Sequence, residues 1–189
     1  MEQSAAIRTE DVGYPRQHEH MTHSWADFRA AQPEFADTVQ ARFEDFRHHV
    51  LGTLRTDGSP RLTGLEANFH DGGLWLGMMI GSRKALDLRR DPRFSLHANP
   101  GSHSDMAGGD VRVSGRAIEV TEEDELARFA AGQPEGEQPE RFHLFRTELS
   151  EVVRVHVEDP YIVFEVWHPG HALRTIRREN EDSTLHVDA

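Results

Sequence analysis

The chain has 189 residues, enough for one domain with its own core. Its 33 acidic and 21 basic residues give a net charge of −12, which argues against a nucleic-acid or anionic-membrane surface. There is no cysteine, so disulfides, thiolate catalysis and cysteine-ligated metal sites are excluded.

The N-terminal stretch MEQSAAIRTEDVGYPRQHEH lacks the apolar region of a signal peptide, and no apolar run reaches the ~18 residues of a membrane span. The expected location is cytoplasmic. Residues 1–22 are polar and aperiodic and read as a loose arm. The domain is expected over 23–180 and a frayed tail over 181–189. In SWADFRAAQPEFADTVQARFEDF, Ser24 can cap one helix and Pro33 can open a second. Phe35, Val39, Phe43 and Phe46 recur at helical spacing, so one face of that second helix packs inward.

From His48 the period becomes two. HVLGTLRT, PRLTGLEANF and GLWLGMM read as strands, separated by the hairpin signals DGS and HDGG. GSRKALDLRRDP follows as a short helix, then RFSLHAN as a strand, GSHSDMAGG as a loop and DVRVSGRAIEV as a strand. TEEDELARFAAG reads as a helix with Thr121 as its cap and Gly132 at its end. QPEGEQPE is a linker, and RFHLFRTEL is read as helical. SEVVRVHVED, YIVFEVWH and HALRTIRRE close the domain as strands. Successive antiparallel strands with few helices imply a mainly β (α+β) barrel, closed or nearly so, with a sandwich as the fallback.

GSRKALDLRRDP raises a chemical question. Ser82 is placed to cap the helix, and Asp91-Pro92 ends it. Its first turn offers free N–H groups at the positive end of the helix dipole, beside Arg83 and Lys84. That combination suits a phosphate. A solvated surface turn is the competing reading. On the preceding strand Arg61, Thr63 and Leu65 share one face, so Arg61 can add a second guanidinium. Arg89 and Arg90 fit as charges offsetting the helix C-terminus.

At LWLGMMIGSRKALDLRRDPRFSLHANP, with RLTGLE before it, the chain resembles the pyridoxamine 5′-phosphate oxidase-like, FMN-binding split-barrel family. The resemblance spans about Phe46 to Arg178. It implies an antiparallel split barrel with flanking helices, a homodimer, and two FMN sites at the interface. The implied cofactor contacts are Arg61, Leu62 and Thr63, then Met78 and Met79, then Ser82, Arg83 and Lys84. Trp167 and Arg177 are implied contacts from the second subunit, Trp167 as a wall and Arg177 against the reduced ring. Met78 and Met79 are equally well read as core filling.

The run Glu165-Val166-Trp167-His168, four residues, then Leu173-Arg174-Thr175-Ile176-Arg177 is similar to the true oxidase motif with two departures. Leu173 and Thr175 replace the Arg and His that hold the vitamin B6 phosphate substrate. The expectation is therefore an FMN-dependent oxidoreductase transferring hydride at flavin N5, with another small-molecule substrate. The alternatives are an F420-dependent reductase using Arg89, Arg90 and Arg93 for the acidic tail, and a non-catalytic cofactor- or haem-binding protein with His97 or His168 as ligand. No residue is assigned a catalytic role; Glu66 is weighed as a proton relay against a rim carboxylate. His18, His20 and His23 lie close together, but without a carboxylate framework no metal site is assigned. His168 and His171 are read as turn residues.

Overall fold

The computed structural model describes residues 23–101, 108–133 and 141–179, with the backbone of 185–187. The expected N-terminal arm, with His18 and His20, lies outside the described residues.

Ser24 opens α1 (Trp25–Ala31). Its hydroxyl accepts the Asp27 amide while the Asp27 carboxylate accepts the Ser24 N–H, a reciprocal capping box. Pro33 is the first residue of α2 (Pro33–Glu44), where its missing N–H costs nothing. Phe35, Val39 and Phe43 form the buried stripe; Phe46 lies past the helix end and is partly exposed.

β1 (His49–Leu54) and β2 (Pro60–Leu65) form a hairpin through Asp57-Gly58. The chain then breaks at Glu66. β3 (Ala67–His70) leaves β1 and pairs with β4 (Gly73–Met79) through Asp71-Gly72. α3 (Arg83–Arg90) follows, then β5 (Arg93–His97) and β6 (Asp110–Val120). α4 (Glu123–Ala131) starts from Glu122, not Thr121, and makes no side-chain cap. The stretch read as helical, RFHLFRTEL, instead begins β7 (Phe142–Glu158). β8 (Tyr161–Trp167) and β9 (Arg174–Glu179) complete the domain. The C-terminal stretch read as frayed contains β10 (Leu185–Val187), whose backbone pairs with β9.

β7 divides the sheet. Its first residues, Phe142–Arg146, pair with β4, and Val152–Glu158 pair with β8. β6 runs along both halves, with a bulge at Ser114/Gly115. Strands β4–β7–β6–β5–β1–β2 curl into a barrel whose ends, β2 and β4, approach without pairing. β8, β9 and β10 extend from the other half of β7. The molecule is thus an antiparallel split barrel with flanking helices, as the sequence implied.

The inner face carries the core. Leu51, Leu65, Leu96, Val111, Val113, Phe145, Leu149 and Val152 meet α1 and α2 there. α4 covers a second cluster of Val120, Phe129 and Leu144 on the opposite side of β7. α3 packs against β1 and β6 and lies near the β2 edge, which places the anion turn at the split.

Candidate functional site: an anion grip at the start of α3

β4 ends at Met79 and the chain turns sharply. Ser82 N–H donates to Met79 O (3.2 Å), and Gly81 takes φ +72°. That is a type II turn, in which the third residue favours glycine. Ser82 is the N-cap residue of α3, but its side chain makes no cap hydrogen bond, which differs from the sequence expectation. Instead Ser82 Oγ is buried without a partner among the described residues, and so is Thr63 Oγ1 on the inner face of β2. An orphaned buried hydroxyl is costly, so each points to a missing partner.

The cations come from the same two elements, Arg61 from β2 and Arg83 and Lys84 from the first turn of α3. Lys84 Nζ reaches the β2 backbone at Gly64 O (2.5 Å) and has no carboxylate partner among the described residues. Burial pulls its ammonium below the usual lysine range. Arg83 is exposed and makes no ion pair among the described residues. Arg61 lies against α3: its Nε donates to the buried Asp87 carboxylate (2.6 Å). Thr53 Oγ1 donates to the same Asp87 oxygen (3.0 Å). Burial raises the Asp87 pKa, but the hydrogen bonds from Arg61 and Thr53 and the Arg61 charge lower it more, so the carboxylate lies below its ordinary range. Asp87 thereby fixes Arg61 by one of five donors and leaves its terminal amino groups to act elsewhere.

The turn thus brings together uncapped helix N–H groups, two orphaned hydroxyls, two cations and an anchored guanidinium. The set fits a phosphate monoester, which can accept from all of them. Apolar side chains flank it. Met79 is 80% exposed, Leu62 72% and Ile80 50%. Met78 points inward and is core, cross-strand from His143.

Arg61, Thr63, Ser82, Arg83 and Lys84 are therefore gathered in one place, with Leu62 and Met79 beside them. Trp167 and Arg177 are not. Trp167 is 1% exposed, on the inner face of β8, with its ring 4.6 Å from that of Phe28. A ring sealed under α1 has no face left to wall a cofactor, which corrects the reading of Trp167. Arg177 shares a face with His156 and lies 3.7 Å from Glu158, at the far end of the strand order from β2. Glu66 pairs with Arg47 (3.0 Å), consistent with a rim carboxylate. His168 donates from Nδ1 to Ser150 O, and its carbonyl accepts from His171 N–H, the turn that the sequence suggested. No cluster of three metal-ligating side chains occurs among the described residues. Asp87 and His143, which accepts from Gly81 N–H, escaped the sequence reading. An acid on the buried side of an amphipathic helix was the one visible signal for Asp87.

Residues 35–156 match the family model described as pyridoxamine 5′-phosphate oxidase, which is more than half of the chain. The chain belongs to that family. Among solved structures it is similar to PhzG from Burkholderia lata 383 in complex with tetrahydrophenazine-1-carboxylic acid, at 17% identity and TM-score 0.51, over 86% of this chain and 90% of that one. It is also similar to a pyridoxamine 5′-phosphate oxidase-related, FMN binding protein from Nostoc punctiforme PCC 73102, at 15% identity and TM-score 0.50, over 83% and 94%. Campylobacter jejuni ChuZ aligns at 12% identity and TM-score 0.54, over 73% and 61%. Identities this low show a shared fold. No curated protein matches the sequence. No helix among the described residues is long and apolar enough to cross a membrane.

Proposed function

We propose that the protein binds FMN at the α3 turn and acts as an FMN-dependent oxidoreductase on a small molecule. The observation that carries this is the pair of buried, partnerless hydroxyls at an uncapped helix start beside Arg83 and Lys84. FMN, when bound, supplies hydride transfer at its ring N5. Ser82, Thr63, Arg83 and Lys84 would hold the phosphate, and Asp87 aims Arg61 at it. Leu62, Met79 and Ile80 offer apolar surface on which a flat ring can bury area.

The substrate is not a vitamin B6 phosphate. Leu173 packs against the main core, so it offers no charge to a phosphate, and Thr175 is short. A site built on charged hydrogen bonds loses its discrimination when those groups are gone. F420 is less well supported than FMN. The arginines available for its acidic tail are already engaged: Arg89 with Glu119, Arg93 with Asp91, and Arg90 with Asp87 and Leu54 O.

A homodimer belongs to the same reading. The register places Leu62, Val50, Ser95, Arg112, Val155, Phe164 and Ile176 on one outer face spanning β2 to β9. No described element covers it. A partly apolar sheet face of that extent fits a second copy of the chain, and Leu62 puts its edge beside the grip. The absorption spectrum of the purified protein tests the cofactor. Flavin bands are expected; deazaflavin or haem bands would overturn the proposal.

A further inference from the structure

His143 has no place in the sequence reading, yet it touches the anion turn. It lies on β7, is 8% exposed, and accepts the Gly81 N–H at Nε2 (3.1 Å). Its Nδ1 lies 3.0 Å from Glu119 Oε1 on β6. Arg89, in the last turn of α3, holds Glu119 in a fork: Nε to Oε2 at 2.6 Å and Nη2 to Oε1 at 2.7 Å. Arg89 Nη2 also lies 3.2 Å from His143 Nδ1, but both atoms are donors aimed at the same carboxylate oxygen. The hydrogen-bond pattern admits one form of the ring. Nε2 must carry the lone pair and Nδ1 the proton.

The Gly81 amide is the middle peptide of the Met79–Ser82 turn. Type I and type II turns differ by a flip of that peptide. Holding its N–H inward, against a buried ring, selects the type II form with Gly81 at φ +72°. The next residue is Ser82, whose hydroxyl and following N–H groups make up the grip. A flipped peptide would turn the Gly81 N–H away from β7 and re-aim Ser82. The same cluster pins the end of α3 through Arg89, so both ends of the helix refer to Glu119 and His143.

We propose that neutral His143 is the positioning residue of the phosphate grip, and that it raises affinity for the phosphorylated flavin over the unphosphorylated one. The ligand part of this rests on the FMN reading above. Protonating the ring would set an N–H against the Gly81 N–H and add a cation beside Arg89. The charged groups facing the ring are Glu119 from β6 and Arg89 from α3; β4 presents Met78.

Two measurements test it. Imidazole nitrogen NMR of the protein without flavin reads the tautomer. The Nδ1–H form is expected, and an Nε2–H tautomer overturns the proposal whatever the cofactor proves to be. FMN and riboflavin affinities are then compared for the wild type, His143→Leu and His143→Gln. His143→Leu should bind FMN about two- to tenfold more weakly, the effect of one neutral hydrogen bond, with riboflavin unchanged. His143→Gln, whose amide oxygen can accept from Gly81, should recover most of the loss. Equal losses in the two variants, or equal effects on the two flavins, would overturn the positioning role. A wild type that does not prefer FMN to riboflavin would instead remove the FMN reading and the selectivity claim with it, while the tautomer still decides what holds the turn.

Discussion

Asp87 is buried, and Arg61, Thr53 and Arg90 all donate to it. Its depressed pKa has a thermodynamic consequence. A carboxylate whose folded value lies below its unfolded value of ~3.9 contributes stability above that pH, and the contribution is lost as pH falls through the folded value. Asp91, held at about 2 first by its hydrogen bond from Arg93, adds to the same window. The urea midpoint should therefore stay level near neutrality and fall between about pH 4 and pH 2. Asp87→Asn should cost about 1–3 kcal/mol at neutral pH and flatten that fall; an unchanged acid profile would count against the ion pair. At the grip itself, Arg83→Ala and Lys84→Ala should each weaken FMN roughly tenfold to a hundredfold, the effect of one charge-assisted hydrogen bond. Riboflavin, without the phosphate, should be indifferent. Residue type and position showed a helix start with two cations at Ser82-Arg83-Lys84, but left it open against a solvated surface turn until the neighbouring strands and the family resemblance were weighed. Asp87 and His143 were not legible, because their partners lie 26 and 62 residues away in sequence.

The elements were legible where one face is buried and one is wet. β1 and β6 alternate for that reason, and the DGS and HDGG turns fall where glycine is needed. β7 was misread because its start is buried on both sides. Leu144 faces the α4 cluster and its neighbour Phe145 faces the main core, so the period of two disappears. The β2–β3 break was hidden too, since it depends on which strand each half pairs with. The β6 bulge gives a direct test of the register. A Cβ on Gly115 would sit 2.0 Å from Glu148 O, a backbone atom of β7. Gly115→Ala should destabilise the fold by about 1–3 kcal/mol or more, read from urea unfolding. A variant as stable as the wild type would contradict the close approach of β6 and β7.

Across the whole molecule, the sequence showed which residues alternate but not which side the helices cover. α1 and α2 took the face that contains Trp167, which is why that ring is core. The outer face from Leu62 to Ile176 is covered by no described element, and the second copy proposed above would lie on it. Light scattering should find a dimer, and Phe164→Glu or Leu62→Glu should yield a monomer with weakened flavin binding. A monomeric wild type would contradict the pairing. The central claim is that residues 82–84 grip a phosphate, and side-by-side fluorescence titration with FMN and riboflavin tests it most directly. The wild type should bind FMN at least about tenfold tighter than riboflavin, and Arg83→Ala should close most of that gap. Equal affinity for the two flavins would contradict the account.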